Sequence, residues 1–158
     1  MQNKIEIEKI YLATDHAGFE LKEIVKNHLL ENKYNVVDCG DDTYNEDDDY
    51  TDYMHVAAKN LHKDIAADIN SRAIVFGGSG EGEAIVMNRY AGVRCTTYYG
   101  INLDIVKLGR EHNNANAISF GARFVEDGEC IRAVQMFLET EFSSDERHVR
   151  RINKIDQK

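Results

Sequence analysis

Arg72-Ala73-Ile74-Val75-Phe76, running into Gly77-Gly78-Ser79-Gly80-Glu81-Gly82-Glu83, is the stretch on which the fold turns. Five residues dominated by apolar side chains read as a buried strand. The four glycines that follow within six residues permit a tight reversal close to other backbone. A helix is expected next, over roughly 82–90. Strand, glycine loop and helix in that order make one crossover unit, and the same alternation continues in both directions. Upstream, Lys9–Thr14 reads as a strand, and 18–32 as a helix with Leu21, Ile24, Val25, His28 and Leu29 on one face. A second strand over 34–39 stops at Gly40. A polar loop, 41–49, carries the acidic run Glu46, Asp47, Asp48, Asp49 and leads into a helix with Met54, Ala57, Ala58, Leu61 and Ile65 on its stripe. Downstream, 94–98 and 115–120 read as strands. Between them Ile101, Ile105, Leu108 and His112 mark one helical face. A fifth helix carries Ile131, Val134, Phe137 and Leu138. Ser143 and Glu146 have the spacing of a capping box for a last helix with Ile152 and Ile155.

Five short apolar strands separated by helices predict an α/β protein with a five-stranded parallel sheet covered on both faces. Right-handed crossovers make it a doubly wound, three-layer sandwich. The 158 residues fit a single domain, 1–158. Ligands of such sheets bind beyond the carboxyl ends of the strands. That rule directs attention to Asp15 and His16 after the first strand, the glycine loop after the third, and the segment after the fifth. The last helix needs no sixth strand and is expected to pack on a partner subunit.

Composition excludes several classes of function. Lys and Arg number 19 against 28 Asp and Glu, a formal net charge of -9, which opposes nucleic-acid and anionic-membrane binding. No apolar run reaches the roughly 18 residues of a membrane span. The opening Met1-Gln2-Asn3-Lys4 and the alternating Ile and Glu after it lack a leader's apolar core. Three cysteines, Cys39, Cys95 and Cys130, form no close pair and read as small buried hydrophobes in a reducing cytoplasm. Proline is absent, so turns rest on Gly, Asn and Asp.

The glycine loop can turn backbone N–H groups inward around an anion, and a helix start adds positive partial charge. No Lys-Ser or Lys-Thr follows the last glycine, which removes the P-loop; the spacing and the position after the third strand remove the dinucleotide fingerprint. Glu83 at the helix start suits either a favourable partner of the helix dipole or a general base for a carbon-bound proton. Asp15 could cap the first helix or face a ligand. His112 could serve its helix C-terminus or chemistry. Arg147 and Arg151, four apart, share a helical face that is either solvated or set for a dianionic phosphate; Arg123 is a third candidate. No His-x-x-x-His or similar ligand spacing is present, so no metal is expected.

Taken together, Asp15-His16-Ala17-Gly18-Phe19-Glu20-Leu21-Lys22, Asp52-Tyr53, the loop from Gly77 to Glu83 with Asn88 to Arg94, Glu111 to Asn116, Phe120-Gly121-Ala122-Arg123 and Arg147-His148-x-x-Arg151 resemble the ribose-5-phosphate isomerase B family, which also includes galactose-6-phosphate isomerase subunits. The resemblance spans nearly the whole chain and implies a Rossmann-like sandwich that interconverts an aldose phosphate and a ketose phosphate without metal or organic cofactor. It implies that His112 opens the sugar ring, and that Asp15 and Ser79 hold and polarise the sugar hydroxyls. The N–H groups of Gly78, Gly80 and Gly82 would stabilise the enediolate oxygen. Arg147 and Arg151 would bind phosphate, helped by Arg123 and His16, with Asn113 also in the binding set. Family sites lie between two subunits, so a homodimer or tetramer with shared sites is expected. One branch of the family places a Cys immediately before the glycine loop as its base. Gly77 stands there in this chain, and the Gly-Gly-Ser-Gly-x-Gly-Glu pattern matches the branch whose base is a Glu, here Glu83. Proline usually follows the family's Asp-Tyr, where this chain has Met54. Substrates of four or six carbons, and a non-catalytic sugar-phosphate-binding module, are the alternatives to ribose 5-phosphate.

Overall fold

The computed structural model describes residues 5–157; the opening residues 1–4, read above for a leader, lie outside them. The elements run β1 (Lys9–Thr14), a 3-10 turn (His16–Gly18), α1 (Phe19–Glu31), β2 (Val36–Asp38), α2 (Tyr50–Ala66), β3 (Ser71–Gly77), α3 (Glu81–Met87), β4 (Cys95–Tyr98), α4 (Asp104–Asn113), β5 (Ala117–Gly121), α5 (Asp127–Glu139) and α6 (Glu146–Ile152). All strand pairs are parallel, in the order β2-β1-β3-β5-β4. β1 pairs with β3 from Lys9 opposite Ser71 to Thr14 opposite Phe76, and β3 pairs with β5 from Ala73 opposite Ala117 to Gly77 opposite Gly121.

Each residue of β3 is buried, as a central parallel strand requires when helices cover both faces. Leu12, Ile74, Phe76, Ile118 and Phe120 pack on α1 and α5 with Val25, Leu29, Val134 and Phe137, and Val106 of α4 joins them. Ala13, Ala73, Val75 and Ala117 pack on α2 and α3 through Met54, Ala57, Leu61 and Met87. Small residues on that second face let α2 and α3 sit close to the sheet. The expected doubly wound sandwich is therefore present. The strand order reverses between β1 and β3, and the loops after these two strands leave the sheet side by side at the carboxyl ends, where such folds form their ligand crevice.

Several local expectations need correction. Ile24 of α1 faces solvent, and Lys22 occupies the core-facing position with 0% exposure. Its ammonium donates to both Asp38 carboxylate oxygens at 2.8 Å and to the Asp41 carbonyl at 2.8 Å, so the apolar stripe is rotated around a buried ion pair. The face marked by Ile101, Ile105 and Leu108 is the outer one: Ile105 and Leu108 of α4 and Ile101 just before it are exposed, while Val106, Gly109 and Arg110 are buried. Gly109 permits this approach, because a Cβ there would stand 3.3 Å from the Thr96 methyl. Arg110 fills the rest by donating to the Thr140 carbonyl and the Asn114 side chain. The capping box does not form. Asp145 is the N-cap of α6, makes no side-chain cap, and Ser143 Oγ instead accepts from the Asp145 N–H at 3.3 Å. Ile155 is exposed beyond the end of that helix.

Candidate active site

The turn after β1 brings the first pair of site residues to the crevice. Asp15 is the N-cap of the 3-10 turn, where its Oδ1 accepts the Ala17 N–H at 3.0 Å. His16 follows, and its Nδ1 lies 2.7 Å from Asp48 Oδ1 of the acidic loop. An ionised carboxylate only accepts, so Nδ1 carries the hydrogen. The His16 pKa is raised, chiefly by that hydrogen bond and further by the charges of Asp15 and Asp48, against burial and Arg123.

The glycine loop owes its shape to its neighbours. Gly80 has φ 79 at the N-cap of α3, and a Cβ there would approach the Phe120 carbonyl carbon to 2.8 Å. Its own carbonyl accepts from Ser119 Oγ at 2.6 Å, which ties the loop to β5. Ser79 is exposed and its Oγ accepts the Glu81 N–H at 3.3 Å. Arg123 lies along the backbone of Gly78, within 3.3 Å of where a Cβ would stand. Its N–H donates to the Gly78 carbonyl at 3.1 Å. At Gly82 an added Cβ would meet the Tyr50 ring at 2.8 Å, so that ring lies against the loop.

Glu83 is a buried carboxylate of this cluster, 4% exposed, with Asp15 at 7%. A Cβ added to Gly77 would land on the Glu83 carboxylate. The side chain thus fills the space beside the last residue of β3, where any larger residue at 77 would itself project. Burial raises the Glu83 pKa; the neighbouring charges of Asp15 and Glu81 raise it further, and a hydrogen bond from its own backbone N–H opposes them. A carboxylate shifted toward neutrality by desolvation is suited to accepting a proton from carbon.

The remaining sequence candidates lie elsewhere in the same chain. α4 descends from the carboxyl end of β4 to the amino end of β5, so His112 and Asn113 in its last turn stand at the far end of the sheet. Arg94, which precedes β4, confirms this by donating to the Asn113 and Asn114 carbonyls. α6 docks at that end too: the Ser143 N–H donates to the Glu111 carbonyl, and the His112 and His148 rings stack at 4.3 Å and 15°. Arg147 and Arg151 are exposed there and form no ion pair among the described residues. A five-residue strand separates its two ends by about 15 Å. One chain therefore gathers Asp15, His16, Gly78, Ser79, Gly80, Gly82, Glu83 and Arg123, and keeps His112, Asn113, Arg147 and Arg151 apart from them.

Two residues at the crevice were not singled out from sequence. Asp48 belongs to the loop after β2, a loop that also leaves the sheet at a carboxyl end, and Tyr50 opens α2 beside Gly82. Tyr53, of the Asp52-Tyr53 pair, packs on Gly40. The thiols divide: Cys95 and Cys130 are buried as expected, whereas Cys39 is half-buried with its pKa pushed up to about 11 by burial. Asp15, His16 and Asp48 could together offer ligand atoms to a cation, though His16 and Asp48 already satisfy one another.

The model of the ribose/galactose isomerase family matches residues 10–155. A ribose-5-phosphate isomerase B of Mycolicibacterium paratuberculosis is 40% identical over 145 residues, spanning 92% of this chain and 87% of that protein. The probable ribose-5-phosphate isomerase B of Mycoplasma genitalium is 36% identical over 146 residues, 92% of each chain. The crystal structure of ribose-5-phosphate isomerase B from Mycoplasma genitalium with bound ribulose 5-phosphate superposes with a TM-score of 0.87 at 34% identity, covering 95% of both chains. A ribose 5-phosphate isomerase from Thermotoga maritima superposes with a TM-score of 0.84 at 38% identity, covering 97% of this chain and 100% of that one.

Proposed function

The chain belongs to the ribose/galactose isomerase family, and from that membership we propose that it interconverts ribose 5-phosphate and ribulose 5-phosphate through a cis-enediolate, with Glu83 as the base. The observation that carries the assignment of the base is the Glu83 carboxylate, buried over Gly77 in the crevice and raised in pKa by that burial. Glu83 takes the proton from carbon 2 of the open aldose, and the electron pair moves through the carbon 1–carbon 2 bond to the carbonyl oxygen. That oxygen gains charge beside the N–H groups of the glycine loop; each such donor is worth about 3 kcal/mol in a water-poor site. The hydroxyl proton then passes from oxygen 2 to oxygen 1, between groups held by Asp15 and Ser79. Glu83 returns its proton to carbon 1, and the ketose is formed with no net gain or loss of atoms.

His112 serves ring opening, and Arg147 and Arg151 take the phosphate, helped by His16, Arg123 and Asn113. Phosphate fixed far from the reacting carbons lends binding energy to their alignment. Because His112, Asn113, Arg147 and Arg151 stand at the opposite end of the sheet from Glu83, a second copy supplies them. The exposed stripe of Ile101, Ile105 and Leu108, beside edge strand β4, is a surface for that copy to cover. Among the described residues no helix is long and apolar enough to cross a membrane, which accords with a sugar-phosphate enzyme of the cytoplasm.

A panel of four-, five- and six-carbon aldose phosphates, scored by ketose formation, tests the reading. Ribose 5-phosphate is expected to show the highest kcat/KM, with none of the activity lost to a chelator. Binding of every sugar phosphate without turnover of any would leave a binding module in its place.

A further inference from the structure

The acidic run 46–49 has no part in the chemistry so far, yet one of its members is not solvated. The Asp48 side chain is 2% exposed, against a run of exposed neighbours. Its Oδ1 lies 2.7 Å from His16 Nδ1, while Oδ2 is buried without a hydrogen-bond partner. With no competing donor, the pull of this carboxylate is spent on the imidazole alone. The same loop sends Tyr44 against the edge of the His16 ring, with centroids 6.2 Å apart and planes at 89°. A second edge contact to Phe19, at 6.3 Å, anchors Tyr44 to α1. The loop is in turn pinned where Lys22 Nζ donates to the Asp41 carbonyl at 2.8 Å.

We propose that Asp48 is a positioning residue for the isomerase: by accepting from His16 Nδ1 it fixes the imidazole in the crevice and leaves Nε2 as the nitrogen that meets the substrate phosphate. This rests on the reading of His16 as a phosphate-binding group. The charged groups facing His16 are Asp48 and Asp15 on one side of the balance and Arg123 on the other, with the Tyr44 ring at its edge. Two carboxylates against one guanidinium favour the imidazolium, whose Nε2–H is a charge-assisted donor to a dianion. Removing the Asp48 charge while keeping its shape and one acceptor oxygen leaves the ring in place but lets it lose its proton at lower pH.

The test is Asp48→Asn, with Asp47→Asn as a control that removes the same formal charge from an exposed neighbour. KM and kcat for ribose 5-phosphate are measured between about pH 6 and 9, the range that brackets imidazole titration. Asp48→Asn is expected to raise KM about tenfold at the alkaline end, the worth of one hydrogen bond to a charged group. The difference should close toward the acid end, where the imidazole is charged in both proteins, while kcat stays within about twofold. Asp47→Asn should match the parent throughout. NMR titration of the His16 ring in the ligand-free protein, assigned with His16→Asn, should move to lower pH in Asp48→Asn. A KM that is unchanged, or raised equally at every pH, overturns the role of Asp48 while leaving the isomerase reading intact. A parent protein that does not turn over ribose 5-phosphate removes that reading and the role built on it.

Discussion

Gly77→Ala isolates the position of the proposed base, Glu83, from the rest of the protein. Gly77 is not among the glycines with positive φ, so alanine meets no backbone strain there. What it meets is the Glu83 carboxylate, which occupies the space a methyl group would take. Carbon and oxygen need roughly 3.2 Å between centres, so the carboxylate must retreat by more than 1 Å. The atoms displaced are the far end of a side chain, and a change of rotamer costs about 1 kcal/mol. For a chain of this length that lowers Tm by only about 2–4 °C. The chemistry is far less tolerant, since misplacing a reacting group by 1 Å costs about 100-fold. The expected result is kcat reduced about 100-fold, KM for ribose 5-phosphate within about threefold, and a nearly unchanged melting curve. Gly128→Ala, where the added Cβ would lie 3.6 Å from Arg132 in ordinary contact, controls for the substitution itself. Turnover of Gly77→Ala within threefold of the parent would refute the placement of the base, because no bulk could then have been pressed onto the group that moves the proton.

Further outcomes can be checked with standard measurements. Glu83→Gln should lose at least about 100-fold in kcat while still binding substrate by calorimetry. The folded Glu83 pKa lies above its unfolded value, so above both values its ionised form opposes folding; the Gln variant should therefore melt higher than the parent at pH 7 to 8. A mixture of Glu83→Gln with His112→Asn should regain up to about a quarter of parental turnover if sites are shared, because half of randomly paired dimers are mixed and half of their sites are intact. Absence of recovery after verified subunit exchange would place all site residues in one chain. Lys22→Met should destabilise by about 3 kcal/mol, read from chemical denaturation, since it leaves the partly buried Asp38 carboxylate with only Lys26 and the Gly40 N–H as partners. Asp38 is held below its usual pKa by Lys22, Lys26 and the Gly40 N–H despite burial. Its contribution is thus present above the unfolded value and lost as pH falls through the folded one, so the parent's advantage over Lys22→Met should shrink in acid.

Local chemistry was legible in the sequence wherever its cause was local. The glycine loop, the strand before it and the carboxylate after it are consecutive, and their spacing alone dictates a turn with Glu83 at its end. The doubly wound sheet follows from the same kind of signal repeated. Long-range pairings were not legible. Nothing in the sequence around Lys22 says that Asp38 waits sixteen positions away to permit its burial, and nothing in an acidic run says which member will reach His16, thirty-two positions earlier. The stripe of Ile101, Ile105, Leu108 and His112 was visible as a period, but a period states that a face is apolar and not which body covers it. Gly109 and Arg110, chosen by fit against Thr96 and by unfilled carbonyls, took the inward side instead. The separation of the two residue groups to opposite ends of the sheet depends on α4 and α6 returning to the amino ends, which only the topology reveals.

The shared space beside Gly77 also limits what position 77 can hold. A side chain at 77 and the Glu83 carboxylate in its present rotamer claim the same space, so any residue larger than glycine there obliges the carboxylate to swing aside. The bare hydrogen at 77 is in this sense a vacancy that sets where the neighbouring acid group comes to rest.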